Sequence, residues 1–185
     1  MKKLLLHICC APCAVYVFEK LKEEYDVTGY FYNPNIHPEK EYMFRLEETK
    51  IVSKKLGWKM VYGEYDIERW FELTKGHGDD PERGERCSIC FNMRFEKTFE
   101  YAKSNNFDYV ASTLSISPYK VTDRINREGF LFEKMYDVKF LPENFKKKNG
   151  YNIGRKMGAE LGIKHQNYCG CVYSRRDRMR KVNKR

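Results

Sequence analysis

The sequence predicts an α/β fold, an open and mainly parallel sheet with helices on both faces, in a single domain over residues 1–185. Strand-length apolar runs alternate with amphipathic helical patterns along the chain. The helical stretches are long enough to be crossover connections, which favours parallel strands. A length of 185 residues with 42% hydrophobic residues is typical of one globular domain. In such folds ligands bind beyond the carboxyl ends of the strands.

The first predicted strand, residues 4–8, runs directly into a turn that contains three cysteines. Pro12 fits the first turn of the helix that follows. Because a helix N-terminus carries partial positive charge and free N–H donors, it favours thiolate over thiol. Thiolates bind soft metals, so Cys9, Cys10 and Cys13 predict a metal site. The alternative is that these cysteines are simply buried as small apolar residues.

The later elements continue the alternation. The third helix should begin at a cap formed by Asp66, and Ser88 could cap the fourth. Phe91, Phe95 and Phe99 stand at helical spacing and predict a core face rather than a base-stacking platform. The expected strands are residues 27–32, 58–65, 109–115 and a short piece at 139–141, and the expected helices are 38–56, 66–73, a helix ending at 103, one starting at Pro118, and 149–161.

The second helix and the loop before the fourth each contain candidate residues. In helix 38–56, which should stop at Gly57, we expect Met43, Leu46, Ile51 and Val52 to be buried. Residues 75–86, the glycine loop, are polar and charged, and loops held by a scaffold often carry function. Within the glycine loop, His77 is the best functional candidate among the four histidines.

A second pair of cysteines, Cys87 and Cys90, has the C-x-x-C spacing that brings two sulfurs to one side of a helix start. Together with two thiolates from the first turn, this pair would complete a four-sulfur set. Such a set suits zinc or an iron–sulfur cluster, and the spacing alone does not choose between them.

The third group is Cys169 and Cys171, separated only by Gly170. A disulfide between them would close a small ring that is strained and easily reduced, which is typical of a redox-active pair. Gly170 permits the backbone angles that this ring needs. The alternatives are two further metal ligands or two idle thiols.

The formal net charge of +9 favours a polyanionic partner, most commonly nucleic acid, over an inert basic surface. The sequence contains no signal peptide pattern and no apolar run of membrane-spanning length, so we expect a cytoplasmic protein with no membrane partner. Thiols there stay reduced, which favours metal binding or catalysis over structural disulfides. Neither a Walker-type phosphate loop nor a serine nucleophile elbow is present.

Four segments together resemble the QueH-type epoxyqueuosine reductase family. They match in order over nearly the whole chain: H-I-C-C-A-P-C (residues 7–13), E-R-G-E-R-C-S-I-C (82–90), S-T-L-S-I-S-P-Y-K (112–120) and Q-N-Y-C-G-C-V-Y-S (166–174). The resemblance implies a fold of the adenine-nucleotide α-hydrolase-like type. The S-G-G-x-D-S phosphate loop of the ATP-using relatives is absent, and cysteines stand at that turn instead. This difference suggests that metal has replaced nucleotide there.

The resemblance also implies the reaction and the cofactors. The reaction is the reductive removal of the epoxide oxygen of epoxyqueuosine in tRNA, with electrons from an external donor. Cys9, Cys10, Cys87 and Cys90 would bind a [4Fe–4S] cluster, and Cys169 and Cys171 would form the redox-active pair. A neighbouring iron ion is also implied, and Cys13 with Asp79 or Asp80 are our candidate ligands for it.

The tRNA anticodon stem-loop would be bound through its phosphates and through splayed bases. We expect phosphate contacts from Lys120, Arg124 and residues 175–185, and base stacking on Tyr119 or Tyr168. Two other functions remain open from the sequence: a zinc-stabilised RNA-binding module without catalysis, and a general thiol–disulfide oxidoreductase.

Overall fold

The computed structural model describes residues 1–166 and 168–182 and contains one five-stranded sheet. The strand order is β3-β2-β1-β4-β5, and every neighbouring pair is parallel. The predicted parallel sheet is therefore confirmed. The strands are β1 (Lys2–His7), β2 (Tyr25–Phe31), β3 (Lys59–Tyr62), β4 (Tyr109–Ser112) and β5 (Lys139–Phe140).

Seven α-helices connect and cover the strands of the described chain. They are α1 (Ala11–Leu21), α2 (Glu39–Leu56), α3 (Ile67–Leu73), α4 (Glu85–Ser104), α5 (Thr122–Tyr136), α6 (Gly150–Glu160) and α7 (Val172–Val182). Short 3-10 helices cover Thr113–Ile116 and Lys147–Asn149. The predicted strand 109–115 is therefore shorter, because its second half turns into a 3-10 helix. None of the helices described here is long and apolar enough to cross a membrane.

Two apolar layers sandwich the sheet, and alternate residues of β1 face opposite layers. Leu4 and Leu6 pack with the layer that contains α1, whereas Leu5 packs with the layer that contains α4. The aromatic row of α4 is confirmed as core, since Phe91, Phe95 and Phe99 are at most 4% exposed. Helices therefore cover both faces, as the sequence predicts.

The buried face of α2 differs from the prediction. Leu46 and Val52 are buried, but Met43 and Ile51 are 45% and 67% exposed. Their places are taken by polar residues that satisfy their hydrogen bonds locally: the Thr49 hydroxyl, for example, donates to the carbonyl of Arg45 at 2.7 Å. Because such groups cost little to bury once they are bonded, a hydrophobicity pattern misassigns this face.

The start of α4 also differs from the prediction. The helix begins at Glu85 with Gly84 as its N-cap, so Ser88 lies inside it and does not cap it. The carboxylate of Asp80 accepts the backbone N–H of Arg86 at 2.8 Å and supplies the missing cap from the preceding loop. Cys87 consequently lies in the first turn of α4 and Cys90 in the second.

The cap predicted at Asp66 for α3 is confirmed, because the backbone N–H of Arg69 donates to the carboxylate of Asp66 at 3.2 Å.

The sheet extends to both sides of β1. From β1 the chain adds β2 and β3 on one side, and it then crosses over to add β4 and β5 on the other. The carboxyl ends of β1 and β4 flank this switch point, which is where open α/β sheets form their ligand crevice. Residues 9–13, the cysteine turn, follow β1 directly.

Candidate metal and redox centre

The three sulfurs of the cysteine turn converge. The Sγ atoms of Cys9, Cys10 and Cys13 all lie within 4.8 Å of one another, and those of Cys9 and Cys10 are 3.6 Å apart. Thr113, just beyond β4, accepts the backbone N–H of Cys9 at 3.2 Å and donates to its sulfur at 3.5 Å. The predicted clustering of thiols at the end of β1 is therefore present.

The environment of the cysteine turn favours one thiolate among the three. Hydrogen bonds from the thiols of Cys10 and Cys13 lower the pKa of Cys9 well below its usual value, against the opposing effect of burial. The hydrogen bond with Cys10 raises the pKa of Cys13, and a bond to Cys9 and burial do so as well. This arrangement favours a thiolate at Cys9 over the other two sulfurs, and a thiolate suits a soft metal.

His7 supports the cysteine turn from inside the sheet. Its ring nitrogens lie 3.0 Å from the Ser112 hydroxyl and 3.2 Å from the carbonyl of Tyr32. A carbonyl can only accept, so Nε2 carries the proton. Burial lowers the pKa of His7 to about 3, which keeps the ring neutral. His7 is therefore a buried residue of β1 whose two ring nitrogens both have hydrogen-bond partners.

Cys87 and Cys90 lie on α4, next to the region of the cysteine turn. Cys90 is buried in the core layer against which Cys9 and Cys87 pack. The backbone N–H of Arg83 donates to the sulfur of Cys87 at 3.3 Å, and burial raises the pKa of that thiol. Neither sulfur joins the three of the cysteine turn within 4.8 Å.

Residues 168–174, the cysteine hairpin, bring the third group of thiols to this end of the sheet. All seven cysteines are free thiols. The backbone N–H of Ser174 donates to the sulfur of Cys171, which is buried, at 3.3 Å. Burial and the nearby Cys169 raise the pKa of Cys171 to about 12. The two thiols of the hairpin therefore lie in contrasting environments.

Cys169 has a cationic partner. The ammonium of Lys120 donates to its sulfur at 3.0 Å. Although burial opposes the change, the charge of Lys120 lowers the pKa of Cys169, and Arg94 assists. The thiolate in turn raises the pKa of Lys120 against the effect of burial. Cys169 is thus held as the charged member of the pair and Cys171 as the neutral one.

The cysteine hairpin is bound to the segment before α2 and to α2 itself. The guanidinium of Arg45, 3% exposed, donates to the carbonyls of Tyr168 and Cys169 and pairs with Glu41 at 2.8 Å. The Tyr168 hydroxyl donates to the carbonyl of His37 at 3.0 Å. Gly170 has a φ of +113°, and a Cβ there would lie 3.0 Å from Ile36. This position therefore requires glycine.

The glycine loop is a structural support for the hairpin. Arg86, only 2% exposed, donates to the carbonyls of three of its residues, and its guanidinium lies 4.5 Å from the ring centroid of Tyr173. Asp80 is engaged by His77 and by α4, and Asp79 is fully exposed and pairs with Arg176. Neither aspartate joins the sulfur cluster, so our choice of them as iron ligands is not supported by their positions.

A cavity of about 300 Å³ opens at the switch point between these elements. Three of the groups described above reach it: the cysteine turn, the hairpin sulfur of Cys169, and the cations Arg45, Arg94 and Lys120. Tyr119, Tyr151 and Tyr168 form part of its rim, and Tyr119 is 65% exposed. The cavity is therefore both thiol-lined and cationic.

Two of the residues predicted to contact phosphates instead bind groups within the protein. Lys120 binds Cys169, and Arg124 donates to the carbonyls of Arg83 and Gly84. Of residues 175–185, the side chains of Arg175 and Arg180 are exposed on α7, while residues 183–185 lie outside the described residues. Arg45 and Arg94 are cavity residues that were not predicted, although each is a basic residue that interrupts a buried helical face, which is a usable signal.

The sequence of this chain is similar to those of one protein family. A family model described as Epoxyqueuosine reductase QueH matches residues 4–177. A protein of that name from Histophilus somni is 45% identical over 177 residues, which is 95% of this chain and 73% of the relative. The one from Haemophilus influenzae is also 45% identical, over 95% of this chain and 72% of the relative. The one from Thermotoga maritima is 36% identical, over 98% of this chain and 94% of the relative.

Solved structures share the fold. The U34-tRNA thiolase NcsA from Methanococcus maripaludis, solved with its [4Fe–4S] cluster, superposes with a TM-score of 0.59 at 12% identity, over 94% of this chain and 61% of that one. A predicted subunit of tRNA methyltransferase from Methanocaldococcus jannaschii superposes with a TM-score of 0.53 at 13% identity, over 89% of this chain and 90% of that one. The open parallel α/β fold expected from the sequence is therefore also found in solved structures.

Proposed function

Because this chain belongs to the epoxyqueuosine reductase QueH family, we propose that its cavity is where the epoxide oxygen of epoxyqueuosine, in a tRNA anticodon loop, is removed. The chain is an oxidoreductase, and the net reaction consumes two electrons and two protons. The epoxide becomes an alkene and the oxygen leaves as water. The observation that carries this proposal is the convergence of the cysteine turn and Cys169 on one cavity at the switch point.

Cys9, Cys10, Cys87 and Cys90 are the proposed ligands of a [4Fe–4S] cluster, and Cys13 is the proposed ligand of a neighbouring iron. The cysteine turn supports this proposal, because its three sulfurs converge, one of them favours the thiolate, and the buried guanidinium of Arg94 lies near enough to interact with the charge of Cys9. When bound, the cluster supplies single electrons and the neighbouring iron supplies Lewis acidity.

Cys169 and Cys171 are the proposed two-electron store. Their oxidation to a disulfide releases two electrons and the proton of Cys171, the second proton that the deoxygenation consumes comes from solvent, and an external donor then reduces the pair again. The Lys120 contact keeps the sulfur of Cys169 charged at the cavity wall, and the N–H of Ser174 binds that of Cys171 behind it. Gly170, with its φ of +113°, permits the tight turn that a disulfide between these two residues would need.

The substrate base would enter the cavity from the side of the exposed basic residues of α7. Arg175 and Arg180 would bind tRNA phosphates, which predicts salt-sensitive binding. Tyr119, exposed at the rim, could stack on a splayed base.

The test is an assay on tRNA bearing epoxyqueuosine with a low-potential reductant, read as loss of one oxygen atom from the nucleoside by mass spectrometry. Wild-type protein should give the alkene, and Cys169→Ser should not, while both retain the same iron and sulfide. Cys87→Ser and Cys90→Ser should lose iron and sulfide. Normal turnover by Cys169→Ser would remove the two-electron store from the proposal.

One observation favours a second candidate, a zinc-stabilised RNA-binding module. Sulfurs around one tetrahedral ion lie roughly 3.8 Å apart, given metal–sulfur bonds of about 2.3 Å. The 3.6 Å between Cys9 and Cys10 is close to that spacing. Stoichiometric zinc without sulfide, in protein purified and reconstituted without oxygen, would favour this module over the reductase. Turnover of an unrelated protein disulfide without metal would instead indicate a thiol–disulfide oxidoreductase.

A further inference from the structure

Arg94 is a buried cation that lies one helical turn beyond Cys90. Its side chain lies in α4 and the residue is 2% exposed. Its Nε donates to the carbonyl of Cys90 at 3.0 Å, and its guanidinium lies 5.5 Å from the ring centroid of Phe91. The residue also lines the cavity at the switch point.

The charge of Arg94 is incompletely compensated. Its buried Nη2 has no hydrogen-bond partner among the described residues. The other two buried arginines differ in this respect: Arg45 pairs with a glutamate and donates to two carbonyls, and Arg86 donates to three. The groups whose charges favour the cationic form of Arg94 are sulfurs, those of Cys9, Cys87, Cys90 and Cys169.

A buried, unpaired cation is destabilising unless an anion lies beside it. The helix places this cation among thiols of all three groups, the cysteine turn, α4 and the hairpin. A thiolate-ligated iron–sulfur cluster is an anion, and it gains a further negative charge when it is reduced. A fixed positive charge nearby stabilises the reduced form more than the oxidised one, and net charge is one of the factors that set cluster potentials.

We propose that Arg94 is a positioning residue for electron transfer, whose guanidinium raises the reduction potential of the cluster. This inference rests on the proposed function.

The test is a spectroscopic redox titration of the holoprotein, monitored by the electron paramagnetic resonance signal of the reduced cluster. Arg94→Met should lower the equilibrium constant for cluster reduction at least tenfold, which is a shift of about 59 mV to more negative potential. Arg94→Lys, which keeps the charge, should recover most of that shift. Thr98→Val is the matched control, since it removes the hydrogen bond to the carbonyl of Arg94 from a buried site one turn away.

The outcomes separate this inference from the function on which it rests. An unchanged potential in Arg94→Met with full iron and sulfide would overturn the role of Arg94 and leave the reductase intact. Equal shifts in Arg94→Met and Thr98→Val would show a packing effect and overturn it as well. If Arg94→Met releases iron to a chelator faster than Arg94→Lys and Thr98→Val do, the charge is required for retention, which supports the inference. Wild-type protein without iron and sulfide would contradict the proposed function itself.

Discussion

The ammonium of Lys120 lies 3.0 Å from the sulfur of Cys169, and this contact distinguishes two cysteines that are only two residues apart. Cys169 is stabilised as a thiolate at the cavity wall. Cys171, whose pKa is raised to about 12 by burial and by its neighbour, stays protonated behind it. Because the thiolate is the more reactive form of a cysteine, we predict unequal reactivity for these two sulfurs.

The first prediction concerns the reactivity of Cys169. Because Lys120 lowers its pKa, alkylation of Cys169 by iodoacetamide should proceed at a pH below the usual thiol range. In Lys120→Met the midpoint of the rate against pH should move upward and the rate at pH 7 should fall. Lys120→Arg should retain the wild-type profile. Peptide mass spectrometry at residue 169 measures the effect.

Lys146→Met is the control for this prediction. The ammonium of Lys146 donates to the carbonyl of Lys120 at 2.8 Å, so this variant removes a neighbouring charge that does not bind the sulfur. An alkylation profile in Lys120→Met that is identical to that of the wild type would show that the contact does not control the thiol.

The depressed pKa of Cys169 also contributes to the stability of the fold. This contribution is fully present above the pKa of the unfolded thiol, about 8.5, and it is lost as the pH falls through the pKa of the folded protein.

The second prediction concerns Gly170. Alanine there would combine a left-handed backbone with a Cβ that lies 3.0 Å from Ile36 and 3.1 Å from Arg45. We expect Gly170→Ala to lower the free energy of unfolding by about 1–3 kcal/mol and to abolish turnover, because the turn of the hairpin shifts. Gly76→Ala is the control, since Gly76 has a φ of +84° with nothing within 4 Å. Urea denaturation should show a smaller loss for that variant, and equal losses would contradict the role of packing.

The third prediction separates Cys13 from the proposed cluster ligands. Cys13→Ala should retain the cluster and its sulfide but lose the additional iron and most turnover. Cys10→Ala should lose the cluster. Iron and sulfide analysis with electron paramagnetic resonance of the reduced protein distinguishes the two. Loss of the cluster in Cys13→Ala would place this sulfur among its ligands.

The fourth prediction concerns the support of the hairpin by the glycine loop. Arg86→Met would leave three carbonyls without their buried donor, and we expect a loss of roughly 2–4 kcal/mol in the free energy of unfolding. Arg83→Met is the control, because Arg83 is exposed and its side chain donates to one carbonyl, that of Tyr119. Denaturation curves of equal midpoint for wild type and Arg86→Met would contradict a structural role.

The parts of the structure that the sequence predicts well are those with local causes. The strand before the cysteine turn, the stop at Gly57 and the cap at Asp66 each depend on residues a few positions apart. The burial of Arg45 and Arg94 depends instead on carbonyls and sulfurs that come from distant parts of the chain. No local pattern indicates that Lys120 binds a sulfur 49 residues later, and so a surface role was the natural expectation.

The hydrogen bond from Tyr168 to His37 joins residues 131 positions apart, and it has a consequence for the order of assembly. During synthesis, the sheet and the sulfurs of the first turn and α4 emerge long before the segment that forms the last wall of the cavity. We therefore expect a metal donor to have freer access to those sulfurs before that wall docks than after. We expect cofactor insertion and wall closure to be successive events, and hydrogen exchange at residues 168–174 before and after loading would measure the second of them.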